Sequence, residues 1–461
     1  MSEEWEQLHT DLKKMPRGAE SAPEYLRHLM KMFVADFEES VSKRLDVKFW
    51  SKLKSMMDEM KKASENDRVV DLNVQSLAVG FITDLSLLVH SHYEIPDFGE
   101  NISPVLAWTP SVYGNRKPVR SKKHCRVFLA YILLRMGDLM RYKEHYPKAK
   151  EFYEQSCRIN PADGSVWNQL GLLSVMSVQF LDSVYFHTRA LHATLEFQGA
   201  SGSLTTIFKK FANRDISKPM PFNELYLACL AKIHFLLEIE DSERHMKTIA
   251  ENAATSKEVL IPIMSVYNHL EDGTEIEQRA IGYIQTIWTH AYKTLLKTLS
   301  EDSGSRTNLL HILSFFHSAP RLMAGINDSE VSANSKKVSQ ILITSLEKSQ
   351  FSDDIVNDDD GFRYFHCLEE RLYPLRKSYW VAILKGTIFK ESGFNEESVF
   401  DAPTISSSKS SPTKSNSRSP VKAQRLPDPE SSDEEILQRG RRRGRASSRK
   451  TESVDTDDDD F

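Results

Sequence analysis

The chain has 461 residues, of which 40% are hydrophobic and 27% are charged, and its formal net charge is −5. These values describe a globular chain long enough for two or three domains, with no overall field that would attract it to nucleic acid or to an acidic membrane. Its four cysteines are widely spread without a CxxC pair. This argues against a zinc module or a disulfide framework and predicts a reducing compartment. No apolar run approaches the ~20 residues that cross a bilayer, so we expect no membrane contact.

Helical periodicity dominates the chain from about Pro23 to about Lys390. The first clear apolar face has helical spacing and consists of Phe49, Leu53, Met56 and Met60. The stretch from Leu72 to His92 is apolar on two faces, which predicts a buried helix. Residues 96–118 contain four prolines and two glycines, which predict a loop.

Two glycines that lie 34 residues apart, Gly137 and Gly171, have similar surroundings. Each is flanked by large apolar residues, and a small residue follows in the next predicted helix. This is the pattern of a tetratricopeptide repeat (TPR), in which a small residue lets two helices cross closely. The pattern residues are Leu133, Met136, Gly137, Ala149, Tyr153 and Pro161 in the first copy, and Trp167, Leu170, Gly171 and Ala190 in the second. The second copy departs from the pattern, because Ser183 stands where alanine is usual and Leu195 replaces the closing proline. Two such hairpins cannot bury a core alone, so neighbouring helices are expected to cover them.

Beyond the repeats, residues 216–221 predict a domain boundary. Further periodic stretches predict helices at 224–239, 243–254, 275–299, 307–316, 338–348 and 373–389. No window alternates with period two for long enough to require a sheet. The predicted fold is therefore all-α. We expect a first domain at 1–215, a helical-hairpin domain at 221–398 and a low-complexity, disordered tail at 399–461.

No sequence pattern of an enzyme is present. The chain lacks a Gly-rich phosphate loop, an HExxH pair, a GxSxG elbow and a Cys/His cluster with metal spacing. Aspartate runs at 358–360 and 457–460 are better explained as solvated segments than as metal ligands, because consecutive side chains point in different directions. We therefore expect no catalysis, no cofactor and no metal.

A candidate binding site combines cationic residues from two predicted helices. Lys54 and Lys61 lie seven residues apart beside the first apolar face, and Arg141 and Tyr142 end a helix of the first repeat. Asp138 can reach Arg141 at i+3 and hold its guanidinium. Cations and a hydroxyl suit a phosphorylated side chain, which offers three acceptor oxygens. From the pattern alone, an ordinary solvated helix face explains these residues better.

The run from Gly137 to His192 closely resembles the ever-shorter-telomeres/SMG family, the adaptors of nonsense-mediated mRNA decay. The resemblance is carried by Gly-Asp-x-x-Arg-Tyr, then Pro-x-x-Gly-x-x-x-Asn-Gln-Leu, then an aromatic-rich helix. It covers residues 25–215 and, less specifically, the helical region to about residue 398. It implies a 14-3-3-like domain that contains degenerate TPR hairpins, followed by a helical-hairpin domain. Some relatives end in a PIN nuclease domain, which the polar tail is too short to form, so nuclease activity is not expected.

The resemblance also implies a phosphopeptide site. In the family, phosphoserine is cradled by an Arg-Tyr pair on one helix and a lysine on an earlier helix. Arg141 and Tyr142 match the pair. The lysine is assigned to Lys54 with Lys61 in support, although anchoring on Trp50 places the family position at Ser55.

Gly80 resembles a family position on a helix through which two related members pair. Packing against a helix of the same domain is the alternative explanation for this glycine. The implied protein is a non-enzymatic adaptor that binds phosphorylated serine or threonine peptides of the surveillance RNA helicase. It would pair with a related SMG protein and deliver the complex to a phosphatase or to the mRNA decay machinery. The implied location is the cytoplasm, with shuttling to the nucleus.

Two other interpretations stay open. The first is a telomere- or RNA-associated factor, in which a basic loop and the Arg441–Arg445 block contact phosphates, and the adaptor itself could make weak RNA contact. The loop cations are Arg116, Lys117, Arg120, Lys122, Lys123 and Arg126. The RGRRRGR block lacks interleaved aromatic residues, so it is interpreted as a nuclear-localisation or nonspecific contact segment. The second interpretation is a TPR scaffold with an inactive pocket.

Overall fold

The computed structural model describes residues 2–348, apart from residues 17, 19–20, 64–67, 97, 107–113, 255 and 272 and scattered positions between 302 and 328. The predicted tail, the predicted helix at 373–389 and the aspartate runs lie outside these residues. The chain divides into two compact units, Met1–Leu204 and Thr205–Phe461. The predicted domain limits stay predictions.

The described residues of the first unit are mostly helical. Its helices are α1 (Glu3–Lys14), α2 (Ala22–Ala35), α3 (Phe37–Ser42), α4 (Leu45–Ala63), α5 (Arg68–His92), α6 (Phe98–Leu106), α7 (Lys122–Tyr142), α8 (Tyr146–Ile159), α9 (Gly164–Met176) and α10 (Phe180–Leu191), and α11 (Ala200–Phe211) crosses the division between the units. Strand β1 (Tyr93–Glu94) pairs in parallel with β2 (Lys117–Pro118) over two residues. Because no other strand occurs among the described residues, the all-α prediction is confirmed.

Polar caps and apolar faces explain where these helices lie. Ser121 accepts a hydrogen bond from the backbone N–H of His124 and so begins α7, and Asp163 caps α9 through the N–H of Ser165. Such caps satisfy backbone donors that have no partner inside the helix. Buried apolar side chains from α1 to α8 form one continuous core, in which the Phe128 ring is tilted against the Phe33 ring and meets the Phe37 ring edge to face.

The two repeat glycines lie where paired helices cross, as the sequence pattern predicts. A Cβ on Gly137 of α7 would lie 2.5 Å from the Tyr153 ring of α8, and a Cβ on Gly171 of α9 would lie 2.7 Å from the His187 ring of α10. Real Cβ atoms do not approach other atoms so closely. Any larger residue at either position would therefore separate the helices, which confirms the two predicted hairpins.

The two departures of the second repeat have structural roles. The Ser183 hydroxyl donates to the carbonyl of Gly171 at 2.9 Å, so it adds a hydrogen bond at the crossing. The Leu195 N–H donates to the carbonyl of Ala162 at 2.8 Å, and the Leu195 carbonyl accepts from the N–H of Gly164. Proline has no N–H and would lose the first of these bonds, which explains why the usual proline is absent.

Helix α5 corrects two predictions. Its segment Leu72–His92 is long and apolar enough, by length and composition alone, to cross a membrane, so a run of that size does exist in the chain. The segment is also not a buried helix, because only 44% of its apolar window is buried. Leu72 and Leu77 are 44% and 45% exposed. Apolar residues on two faces can thus mean one core face and one open face, and periodicity does not distinguish the two cases.

The second unit is also helical. Its helices are α12 (Phe222–His234), α13 (Ser242–Ala253), α14 (Lys257–Asn268), α15 (Glu275–Glu301) and α16 (Ser329–Lys348). The Trp288 ring of α15 packs against Phe315 and Phe316. The sequence pattern predicts a loop at 96–118, where α6 forms, and no helix at the position of α14, and both predictions are wrong. Pro262 lies inside this helix, and a proline there normally marks a helix end. The predicted helix at 307–316 falls largely outside the described residues.

Candidate functional site

Arg141 occupies a buried position in the last turn of α7, with 6% of its surface exposed. Its Nε donates to the Tyr153 hydroxyl at 3.2 Å, and its Nη2 lies 3.7 Å from Oδ1 of Asp138. The predicted i+3 contact of Asp138 is therefore present. The guanidinium carbon also lies 4.8 Å from the ring centroid of Tyr142, its neighbour in the chain. The structure thus brings Arg141 and Tyr142 together.

Tyr153 holds both members of the Asp138–Arg141 pair, a role that the sequence analysis did not assign to it. Its hydroxyl accepts from Arg141 and donates to Oδ1 of Asp138 at 2.8 Å. Burial and the Asp138 carboxylate raise the pKa of Tyr153 well above its ordinary value, so the hydroxyl keeps the proton that it donates. The same ring fills the space against Gly137. The TPR spacing finds this ring, but its hydroxyl contacts require the folded hairpin.

Arg135 lies on the same helix, about one turn before Asp138 and about two turns before Arg141. Its Nη1 donates to Oδ2 of Asp138 at 2.8 Å. Its guanidinium carbon lies 4.8 Å from the Trp50 ring centroid of α4 and 4.7 Å from that of Tyr131. This contact joins α7 to the helix that carries the two candidate lysines.

One carboxylate therefore serves two guanidinium groups. The side chains of Asp138, Arg135 and Arg141 are 2%, 20% and 5% exposed, respectively. Burial alone would lower the pKa of Arg141, but Tyr153, Tyr142 and Asp138 outweigh it and raise that pKa, so the guanidinium stays charged. These three side chains carry one excess positive charge. Because a buried charge is costly unless it is paired, this arrangement favours an anionic ligand.

The candidate lysines lie on the side of α4 that carries Trp50. At about 100° per residue, Lys54 and Lys61 fall within about 40° of Trp50 around the helix axis, whereas Ser55 falls about 140° away. Lys54 is half-buried and Lys61 is exposed. The Ser55 hydroxyl donates to Glu59 on the outer surface of α4. The geometry therefore favours Lys54 over Ser55 as the lysine position, while the complete pocket stays a prediction.

Gly80 lies in the middle of α5 with open space around it. A Cβ placed there would meet no atom within 4 Å, so close packing within the same domain does not explain this glycine. Around the helix axis, Leu77, Asp84 and Leu87 fall within about 60° of Gly80. Leu77 and Asp84 are exposed, and Leu87 is half-buried. We call these four residues the α5 face.

The α5 face lies close to the end of α7. Gln75 donates to the backbone carbonyl of Tyr142 at 3.5 Å, and Lys143 donates to the Ser76 hydroxyl at 3.1 Å. Ser76 is one turn before Gly80 on the same helix. A protein bound on the α5 face would therefore lie about one helical turn from the residues that support Tyr142.

The basic loop lies at the other end of α7. Its cations Lys117, Arg120, Lys122, Lys123 and Arg126 are exposed, and Arg116 is half-buried with Nη1 3.5 Å from Nδ1 of His90. Within the described parts of the chain, no group of three or more His, Cys, Asp or Glu side chains is arranged to hold a metal ion.

Comparisons with known proteins agree on one family. A sequence-family model described as the Est1 DNA/RNA binding domain matches residues 149–225. The nonsense-mediated mRNA decay factor SMG5 of Danio rerio is 28% identical over 145 residues, which are 29% of this chain and 13% of that protein. The decay factor SMG7 of the same organism is 22% identical over 274 residues, covering 52% of this chain and 23% of that protein. The chain thus spans less than a quarter of the length of these relatives.

A solved structure gives a much longer match. A chain of the C. elegans SMG5-SMG7 complex is 60% identical, with a TM-score of 0.77, and the match covers 84% of this chain and 99% of that chain. The sequence predicts that the chain is most like SMG member seven; the comparisons match both SMG5 and SMG7, so this choice of member stays a prediction. The predicted resemblance and the predicted 14-3-3-like helical fold are confirmed.

Proposed function

This chain belongs to the ever-shorter-telomeres (Est1)/SMG family, and on that premise we propose that it is a non-enzymatic adaptor of nonsense-mediated mRNA decay. In this proposal it binds phosphorylated serine or threonine peptides of the surveillance RNA helicase. The observation that carries the proposal is the Arg135–Asp138–Arg141 cluster, in which a half-buried and a buried guanidinium group share one buried carboxylate. Tyr142 and the α4 side that bears Lys54 complete the pocket.

The charge of the cluster suits a phosphate group better than any unmodified side chain. A phosphoserine carries about −1.5 to −2 charges and three acceptor oxygens. Each hydrogen bond between charged groups contributes roughly 1.5–3 kcal/mol. Two such bonds, from Arg141 and a lysine, together with peptide contacts would give binding in the micromolar range. An unphosphorylated serine offers no charge to compensate the excess cation.

The second part of the proposal is pairing with a related SMG protein through the α5 face. Its support is the open space at Gly80, the exposed Leu77 and the 60% identity to a chain solved in an SMG5-SMG7 complex. A glycine inside an apolar helix costs about 0.5–1 kcal/mol relative to alanine, so close approach of a partner backbone accounts for it. In the cell, such a pair would deliver the helicase to a phosphatase or to mRNA decay enzymes, in the cytoplasm with shuttling to the nucleus.

Calorimetry tests the peptide site. The full chain is titrated with helicase-derived peptides that are identical except for one phosphoserine. We expect the phosphorylated peptide to bind at least tenfold more tightly, and Arg141→Glu to abolish that preference. Equal affinity for the two peptides would refute the phosphopeptide function. A preference that Arg141→Glu leaves unchanged would mean that the α7 pocket is inactive, as in the scaffold interpretation.

A separate measurement tests the pairing. The full chain is mixed with an SMG5-type partner and the mass of the complex is measured by light scattering. Gly80→Glu should prevent the complex, because it places a carboxylate on the α5 face, whereas Gly282→Glu at another open helical position of α15 should not. A complex that forms equally well with Gly80→Glu would exclude this face as the interface.

A further inference from the structure

The start of α7 and the loop before it form an exposed basic surface. We define the α7 basic surface as Lys117, Arg120, Lys122, Lys123 and Arg126, all of which are exposed. On the helix, Lys122, Lys123 and Arg126 fall within an arc of about 100°, because successive residues rotate by about 100°. Three of the five cations therefore share one side of α7, and the other two lie on the segment that leads into it, on a chain whose net charge is −5.

The fold holds this surface in place. Strand β2 contributes Lys117 and pairs with β1, and the Lys117 ammonium lies 5.5 Å from the Tyr93 ring centroid. The N–H of Ser121 donates to Oε1 of Glu38 on α3 at 2.7 Å. These tethers lie on both sides of Arg120. The cations are thus presented on an anchored segment, which reduces the entropy lost when a ligand binds.

The surface is not explained by the stability of the fold. Among the residues that the structure describes, none of the five cations lies within 4.0 Å of a carboxylate oxygen. The first turn of α7 contains no acidic residue. Cations at a helix N-terminus interact unfavourably with the helix dipole, and like charges repel one another. Carboxylates near the loop include Glu38 and Glu94, and Asp36, Glu4 and Glu38 act on the Tyr93 ring that Lys117 contacts, so part of the charge of the loop is offset.

We infer that the α7 basic surface binds the phosphate backbone of RNA. A phosphate backbone offers closely spaced negative charges to a patch of this kind. No large hydrophobic side chain is exposed in the described segment 114–126, so these residues offer no apolar anchor to a peptide or a membrane. A chain with a net negative charge would then bind RNA through this local patch rather than through its overall field.

This inference is independent of the phosphopeptide pocket. Lys123 and Arg141 are 18 residues apart on one helix, which corresponds to about 27 Å along its axis. One helix would therefore carry an RNA contact at its start and a phosphopeptide contact at its end. Loss of one contact is not expected to remove the other, so the two proposals fail separately.

The experiment measures binding of the full chain to a fluorescein-labelled 20-nucleotide uridine RNA by anisotropy at several salt concentrations. The Arg441–Arg445 block is neutralised with glutamine in every protein, because it would otherwise add a second basic contact. The test variant changes Lys117, Arg120, Lys122, Lys123 and Arg126 to glutamine. The control changes five other exposed lysines to glutamine, so that the net charge is the same: Lys13, Lys14, Lys209, Lys247 and Lys297.

We expect the test variant to lose at least tenfold in RNA affinity at low salt, and the control to lose less than threefold. Each lost phosphate contact should make the slope of log K against log salt less negative by about 0.7, so five contacts would change it by up to about 3.5. Equal losses in the two variants would overturn the inference. Displacement of the RNA by an equal charge concentration of polyglutamate, or tighter binding to phosphatidylserine vesicles than to RNA, would also overturn it. Phosphopeptide affinity should be the same in both variants.

Discussion

The two TPR hairpins of the first unit share one backbone design and differ in the chemistry at their crossings. Gly171 and His187 lie 34 residues after Gly137 and Tyr153, respectively. Each glycine lies against the ring of its facing helix, Gly137 against Tyr153 and Gly171 against His187. In the first hairpin the Tyr153 hydroxyl bonds a carboxylate and a guanidinium. In the second, Nδ1 of His187 bonds the neutral amide of Asn168 at 3.0 Å.

The residues that lie 34 positions after the charged pair Asp138–Arg141 are apolar. Asp138 corresponds to Leu172 and Arg141 to Val175, both of which are buried. The second hairpin does bury a cation, but Arg189 stacks over the Trp167 ring, with its guanidinium carbon 4.7 Å from the centroid. A repeat hairpin therefore folds without the Asp138–Arg141 pair. This difference separates what the fold requires from what the proposed site adds.

The largest expected effect comes from removing the shared carboxylate. Asp138→Asn leaves the buried Arg141 and the half-buried Arg135 without a counter-charge, and breaking a buried pair in this way costs about 3–5 kcal/mol. The free energy of unfolding, measured with urea, should fall by that amount. Asn168→Ala at the crossing of the second hairpin removes a neutral hydrogen bond and should cost only about 1–3 kcal/mol. Equal losses of stability in Asp138→Asn and Asn168→Ala would mean that the charge at the first crossing contributes no more to stability than a neutral hydrogen bond.

Acid should destabilise the second hairpin through His187. Burial lowers the pKa of this histidine to about 3 in the folded protein, whereas an unfolded histidine has a pKa of about 6.5. Below pH 6.5 the unfolded chain binds a proton that the folded chain excludes, so stability falls by about 1.4 kcal/mol per pH unit until about pH 3.

The His187→Gln variant isolates this effect, because carboxylates titrate equally in both proteins. The difference in the free energy of unfolding between wild type and variant should change by about 2 kcal/mol between pH 6.5 and pH 5. Tyr153, whose pKa is raised by burial, stays neutral over this range, so Tyr153→Phe should show no such pH dependence. A pH-independent difference for His187→Gln would show that the histidine is not buried in its neutral form.

Adding one methyl group to each crossing tests the shared backbone design. Gly137→Ala and Gly171→Ala should each cost about 1–3 kcal/mol, because the new Cβ would overlap a buried ring. Gly80→Ala is the matched control, since its Cβ meets nothing within 4 Å. It should stabilise the isolated chain by about 0.5–1 kcal/mol, as alanine generally does in a helix. If either crossing tolerates alanine as well as Gly80 does, the helices at that crossing are not closely packed.

The smallest effect concerns the hydroxyl that positions Arg141. Tyr153→Phe keeps the ring against Gly137 and removes two hydrogen bonds, so we expect phosphopeptide affinity to fall about threefold to tenfold, with a stability loss of about 1–2 kcal/mol. Tyr226→Phe in the second unit also removes a buried hydrogen bond, to the carbonyl of Val259. It should lower stability without changing peptide affinity. An equal effect of the two variants on affinity would assign Tyr153 a purely structural role.

The sequence predicts the hairpins because their spacing depends on local rules, namely glycine at a crossing and apolar residues one turn away. Helix α14 is missed because Pro262 breaks the local pattern, while the surrounding apolar residues are buried enough to keep the helix. The open side of α5 is missed because hydrophobicity alone does not show whether a face meets a core or a partner.

The candidate site shows the same limit. Arg141 and Tyr142 are adjacent in the chain, so a motif identifies them. Arg135 can reach Asp138 at i+3 on the same helix, but its contact with the Trp50 ring of α4 and the hydroxyl contacts of Tyr153 form only when α4, α7 and α8 pack together. The relation of Lys54 to Trp50 also becomes informative only when the Arg135 contact shows which side of α4 faces α7.

The most direct test of the central claim is the acidity of the bound phosphate, measured by phosphorus-31 NMR of a phosphoserine peptide titrated with pH in the presence of the full chain. Free phosphoserine loses its second proton with a pKa of about 6. Cations from α7 and α4 favour the dianion, so we predict that binding lowers this pKa by about one unit or more, and by less in Lys54→Met. A bound phosphate whose pKa equals or exceeds that of the free peptide would contradict the proposed cationic pocket.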